Sequence, residues 1–172
     1  VYGTAQVIPI DEDHPINPQS PYAASKVAAD AVCRSFHLSY QIPVVTLRPF
    51  NTYGPRQSER AFVSSAIRQS LDPKVERIRL GDLEPKRDFT YISDTVEAFI
   101  AVAGTAGGPV YNAGNGKSVS MGAMMDRIAR KAAGGSAKLV IADKLRLRPE
   151  DSEVHDLVAG TGKITSETGW AP

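Results

Sequence analysis

Helical segments with amphipathic spacing alternate with short β-branched runs along most of the chain, and this alternation constrains the fold more than any other feature. Parallel strands need a crossover long enough to hold a helix, so a strand, helix, strand order points to an α/β architecture with a largely parallel sheet. Ser20 suits an N-cap and Pro21 the first helical turn, and Ala, Lys, Val, Arg, Phe and Leu carry a helical pattern to about Tyr40. The run PVVTLRP at 43–49 is short, β-branched and bracketed by prolines, which predicts a buried strand. A helix is expected from Glu59 to Leu71, a strand at 77–82, an alternating strand at 88–92, and a helix capped by Ser93 or Asp94 through about Ala103. PVYNAG at 109–114 reads as a strand, Ser120 as the cap of a helix to about Ala133, AKLVIA at 137–142 as a last strand, and the tail as a loop with a weak terminal helix. The strands at 77–80 and 137–141 fit the alternation poorly and are assigned to a small appended region.

Composition narrows the function classes. A chain of 172 residues supports one domain or part of a larger one. A formal net charge of +1 gives no global attraction to nucleic acid or to an acidic membrane surface, and basic residues do not cluster with aromatics. Cys33 is the single cysteine, which excludes an internal disulfide and a cysteine-based zinc site and suits a reducing cytoplasm. Cys33 itself reads as an inert core residue. His14, His37 and His155 lack metal-ligand spacing and read as non-catalytic, so no metal site is expected. No apolar run is long enough to span a bilayer. The chain begins at Val1, and VYGTAQ reads like interior sequence, so a fragment of a longer protein is expected.

The stretch SPYAASK at 20–26 carries the sharpest chemical signal. Tyr22 and Lys26 stand four apart on a helix, which stacks them on one face with Cβ atoms about 5 to 6 Å apart. A lysine so placed favours the phenolate, and a tuned tyrosine can exchange a proton with a sugar hydroxyl or carbonyl. Ala23, Ala24 and Ser25 leave room for a flat ring beside the helix. By itself the spacing, which occurs by chance in many helices, reads first as a half-buried tyrosine with a snorkelling lysine.

Context separates the two readings. VYG at 1–3, SPYAASK, RPFNTYGPRQ at 48–57, RDFTYISD at 87–94, YNAGNGKSVS at 111–120, RPEDSEV at 148–154 and TGW at 168–170 follow one another in that order. The series resembles the extended short-chain dehydrogenase/reductase family, in particular its NAD-dependent nucleotide-sugar epimerases and 4,6-dehydratases. The resemblance implies an α/β fold: the C-terminal part of a Rossmann-type doubly wound parallel sheet plus a small α/β substrate-binding region. The chain would be one partial domain, with Rossmann-type segments at about 1–55 and 88–133 and substrate-binding segments at about 56–87 and 134–172.

The same resemblance implies roles for individual residues. Tyr22 would be the acid/base at the sugar C4 hydroxyl, and Lys26 would hold the nicotinamide ribose and favour the phenolate. Pro49 and Phe50 would lie against the nicotinamide, with core packing an equal reading for Phe50, and Asn51 would contact the substrate diphosphate. Arg87 would grip the nucleotide-sugar phosphates through its forked donors, and Arg56 and Arg60 would also reach substrate. Arg148 and Asp151 would form a second phosphate grip and a ribose contact, or else belong to a solvated charge run. Asn112 and Gly114 read as structural, and Trp170 as packing the last helix onto the small region.

The implied activity is a 4,6-dehydratase or 4-epimerase that oxidises C4 transiently with NAD, acting on a nucleotide sugar in the cytoplasm, homodimeric when full length. Val27, Val32, Phe36 and Tyr40 would supply the apolar stripe for the dimer, or else pack beneath the sheet. The alternatives are a non-catalytic nucleotide-binding domain of the same fold and an NADPH-dependent sugar reductase. The glycine-rich turn that holds the dinucleotide pyrophosphate in this family has no counterpart in the sequence, because AGTAGG at 103–108 follows a helix instead of a strand.

Overall fold

The computed structural model describes residues 1–132, 138–143, 146–147 and 154–172. Arg148 and Asp151 lie outside the described residues, as do Ala133 and Ala137 at the expected element ends. Helix α1 spans Pro21–Tyr40. It starts where Ser20 Oγ accepts the Ala23 N–H at 3.1 Å, and it stops where Gln41 turns left-handed and donates its N–H to the His37 carbonyl. Strands β1 (Thr46–Pro49) and β2 (Asn51–Tyr53) follow, then α2 (Phe62–Leu71), β3 (Arg77–Leu80), β4 (Lys86–Tyr91) and α3 (Ile92–Ala103). The chain ends with β5 (Val110–Ala113), β6 (Ser118–Ser120), α4 (Met121–Ala132), β7 (Leu139–Ala142) and α5 (Gly162–Thr168).

Pairing is mostly parallel: β1 with β5, β2 with β4, and β3 with β7, while β6 joins β4 antiparallel. The mixed α/β class expected from the alternation holds. At Phe50 the chain changes partner, because its N–H still bonds the Ala113 carbonyl at 2.8 Å while Asn51 already pairs with Phe89. Pro49, Phe50 and Asn51 therefore stand where β5 and β4 diverge. Crevices outside the carboxyl ends of diverging parallel strands are where α/β folds bind ligands.

Two apolar clusters hold the elements. Val63, Ala66, Ile78, Leu80, Met125 and Ile128 join α2, β3 and α4. Ala98, Val102, Tyr111, Ala113, Ile164 and Trp170 join α3, β5 and α5. β3 and β7 form their own two-stranded sheet, apart from the strands that carry Phe50 and Asn51.

Several local expectations are corrected. The strand read at 43–49 covers only Thr46–Pro49 and is at most half-buried, since it pairs along one edge with β5. α2 begins at Phe62 and not Glu59, because Ala61 N–H closes a turn onto the Ser58 carbonyl. α3 follows β4 with no loop between them, and neither Ser93 nor Asp94 caps it; the Ser93 hydroxyl bonds the Asp94 carboxylate instead. Ser120 does cap α4, accepting the Ala123 N–H at 3.1 Å. Trp170 packs onto α3 and β5, not onto the small β3/β7 region, and its indole N–H reaches the Asp94 carbonyl at 3.0 Å. Cys33 is only half-buried, because α1 buries none of its residues.

Candidate active site

Tyr22, Lys26, Pro49, Phe50 and Asn51 come together in one cleft of about 550 Å³ between α1 and the carboxyl end of β1. Tyr22 is 73% exposed, with its ring open to the cleft. The Lys26 ammonium sits 5.5 Å from the centre of that ring. Leu47, Pro49 and Phe50 give the cleft an apolar floor, while Tyr22, Lys26 and Ser20 supply a rim of hydroxyl and ammonium groups. That combination suits a flat heteroaromatic ring joined to a polyol. Phe50 is half-buried, lines the cleft and packs against Tyr2 with ring centroids 6.5 Å apart.

Beneath the cleft lies a polar network that the sequence reading missed. The Tyr2 hydroxyl donates to Asn112 Oδ1 at 2.7 Å and accepts from Arg48 Nη1 at 2.7 Å. Arg48 Nε also donates to Asp30 Oδ2 at 2.8 Å, tying β1 to α1. Asn112 is fully buried and completes its bonding through the Ile10 carbonyl and the Glu12 carboxylate, which bears out its structural reading. Burial pushes the Tyr2 phenol up, and the bond from Arg48 offsets only part of that rise. Burial also opposes the charge on Arg48, but its bonds to Tyr2 and Asp30 outweigh it and hold the guanidinium firmly protonated. The available signal was the VYG and RPFN motifs, together with Asp30 four residues beyond Lys26 on the same helical face.

A second cleft of about 480 Å³ opens on the other side of Asn51, which lines both. Arg60, Arg87, Arg146 and Gln57 line it, and among the described residues Asp82 is the carboxylate in its wall. Arg87 is only 7% exposed and spends part of its donor set inside the protein, on the Lys86 carbonyl at 2.9 Å and the Val154 carbonyl at 2.6 Å. Arg146, which the sequence reading did not select, joins this cleft and donates to Ser65 Oγ at 3.1 Å. Arg56 is exposed in a left-handed conformation, φ 66°, and lines neither cleft.

Two of the three histidines bond within the fold. His14 is buried, accepting the Gln6 N–H at Nε2 and donating from Nδ1 to the Pro15 carbonyl, while His37 Nδ1 pairs with the Ile42 carbonyl. Among the described residues, no three His, Cys, Asp or Glu side chains are grouped to hold a metal ion. No helix among them is long and apolar enough to cross a membrane.

The GDP-mannose 4,6 dehydratase family profile matches residues 1–172. A UDP-glucose 4-epimerase from Mycolicibacterium smegmatis is 36% identical over 127 residues, 70% of this chain and 39% of its own length. The structure titled RMD from Pseudomonas aeruginosa, complexed with NADPH, superposes with a TM-score of 0.89 at 27% identity, over all of this chain and 58% of its own. UDP-glucuronic acid 4-epimerase from Bacillus cereus, in complex with UDP-glucuronic acid and NAD, gives a TM-score of 0.88 at 28% identity, over 100% of this chain and 53% of that one. The chain spans about half the length of the curated relatives it matches.

Proposed function

The chain belongs to the GDP-mannose 4,6 dehydratase family, and from that premise we propose that it is the half of a nucleotide-sugar 4,6-dehydratase or 4-epimerase that carries the acid/base pair. What carries this reading is the convergence of Tyr22, Lys26, Pro49, Phe50 and Asn51 on one cleft. The apolar floor and hydroxyl-bearing rim fit the nicotinamide riboside end of NAD, which when bound supplies the acceptor and donor of hydride at the sugar carbon. Tyr22 takes the proton from the C4 hydroxyl as C4 is oxidised to a 4-keto sugar, and returns it when the carbonyl is reduced. The Lys26 ammonium lies 5.5 Å from the centre of the Tyr22 ring and lines the same cleft.

Asn51 stands between the two clefts, so a sugar at Tyr22 extends its diphosphate past Asn51 toward Arg87, Arg60 and Arg146. Planar guanidinium groups match phosphate oxygens well, and the 480 Å³ of the second cleft leave room for a nucleotide diphosphate. We place the enzyme in the cytoplasm, as its single half-buried cysteine suits. Its homodimer would form through Val32, Phe36 and Tyr40, which stand 54%, 47% and 71% exposed along α1. A reductase that consumes NADPH is the second reading, supported by the likeness to the NADPH-bound structure from Pseudomonas aeruginosa.

The test is turnover by the full-length protein given NAD and, in turn, UDP-glucose, dTDP-glucose and GDP-mannose. A 4-keto or C4-inverted sugar with no net change in nicotinamide absorbance is the expected result, and Tyr22→Phe should lower kcat about 10²- to 10⁴-fold. Net consumption of NADPH with a 4-keto sugar would favour the reductase instead. Turnover untouched by Tyr22→Phe would remove the assigned base.

A further inference from the structure

Tyr22, Lys26 and Asp30 stand at intervals of four on α1, so all three share one face. Lys26 thus has two neighbours one turn away: the Tyr22 ring on one side and the Asp30 carboxylate on the other. Opposite charges at this spacing attract, and a free carboxylate at Asp30 would compete for the ammonium. Instead Asp30 Oδ2 accepts from Arg48 Nε at 2.8 Å, with the two side chains 20% and 10% exposed, and Lys26 lies over Tyr22. Arg48 is itself fixed from the far side, by the Tyr2 hydroxyl at 2.7 Å and by the Tyr2 ring, whose centre is 5.0 Å from the guanidinium carbon.

We propose that Arg48 is a positioning residue for the Tyr22–Lys26 pair: by occupying the Asp30 carboxylate it leaves the Lys26 ammonium to Tyr22. The proposal rests on the reading of Tyr22 as the acid/base, but its physical content does not require substrate. Among the described residues, the titratable and charged groups facing the pair are Asp30 from α1, Arg48 from β1, and Tyr2 with the Val1 α-amino group from the first segment, with Glu12 acting electrostatically on Tyr2. Arg48 is the cation among these that contacts Asp30 directly.

The experiment titrates Tyr22 in the full-length protein by NMR of tyrosine labelled with ¹³C at Cζ, the signal assigned with Tyr22→Phe. In Arg48→Met the Lys26 ammonium turns to Asp30, so Tyr22 titrates at higher pH, and kcat with UDP-glucose and NAD falls about 10- to 100-fold as the acid/base geometry loosens. Arg48→Met with Asp30→Asn removes the competing carboxylate and brings the Tyr22 titration back toward the parent value. Asp30→Asn alone leaves that titration near the parent value, which keeps the proposal testable if Arg48→Met fails to fold. A clamp that only braces the helix predicts the reverse, with Asp30→Asn as harmful as Arg48→Met and the double variant unrecovered; either result overturns the proposal. If the titrations follow the prediction but no nucleotide sugar turns over, the functional reading fails while the positioning role stands.

Discussion

Asp88 is a fully buried carboxylate whose partners are all backbone N–H groups: Oδ1 accepts from Asn115 at 2.7 Å, and Oδ2 from Gly116 at 2.9 Å and Ala159 at 3.0 Å. It thereby fastens the turn after β5 to the segment at 157–160, and the space is so filled that a Cβ on Gly114 would lie 2.8 Å from Oδ2. Burial pushes the Asp88 carboxyl above its ordinary value, and the three N–H bonds only partly offset that. Asp88→Asn turns an amide NH₂ toward at least one of these donors, so it should cost about 1–3 kcal/mol of stability, read by urea unfolding at neutral pH. The pH dependence has a definite sign. A raised folded-state value means that the native chain takes up this proton first, so Asp88's own contribution rises as pH falls through the window between the raised value and about 4. The asparagine variant should lack that component of the slope. A steeper acid stabilisation in the variant than in the parent would contradict it.

At the scale of elements, α1 is the unusual one, a 20-residue helix that buries none of its residues. Its inner face, Ala23, Val27, Asp30, Cys33 and His37, is only half-buried, so its end chemistry matters more than it would for a helix pressed into a core. Ser20 satisfies one of the orphan N–H groups at its start. Ser20→Ala should therefore lower stability by about 1 kcal/mol and increase hydrogen exchange in the first turn, beside Tyr22. Unchanged exchange at residues 21–24 would mean that the cap contributes nothing. By contrast α2 and α4 meet across a shared apolar cluster and carry their stability in packing.

For the whole molecule, exposed apolar surface is the dominant fact. Val32, Phe36 and Tyr40 on α1 and Val96, Phe99 and Ile100 on α3 are all open to solvent. Apolar surface of this extent is normally covered by other protein. The 172-residue chain expressed alone should elute in size-exclusion chromatography at a smaller volume than an 18.5 kDa monomer, as an associated species, and Phe36→Glu with Phe99→Glu should shift it toward the monomer volume. A monomeric parent would show that these faces are tolerated in water. The sequence also lacks the glycine turn that seats a dinucleotide pyrophosphate. Calorimetry on the chain alone should therefore detect no NAD binding, and tight binding would show that the Tyr22 side of the cleft suffices.

What the sequence determined by itself was local. Ser20 and Pro21 announced the start of α1, a β-branched run announced β1, a short run ending in glycine announced β5, and the four-residue spacing placed Lys26 beside Tyr22, because each signal is complete within one turn of helix or one short strand. The ordered motifs carried the family. Strands as short as β2 and β6 escaped notice, since three residues have too little pattern to register without their partner β4. Only the tertiary structure decided the support beneath the site: Tyr2 meets Asn112 across 110 positions and Arg48 across 46, and Asp88 reaches Ala159 across 71. Those contacts follow from strand register, which sets Arg48 opposite Asn112 on neighbouring strands. No property of the separate segments contains that register; it exists only once β1 and β5 have paired and closed the chain between them.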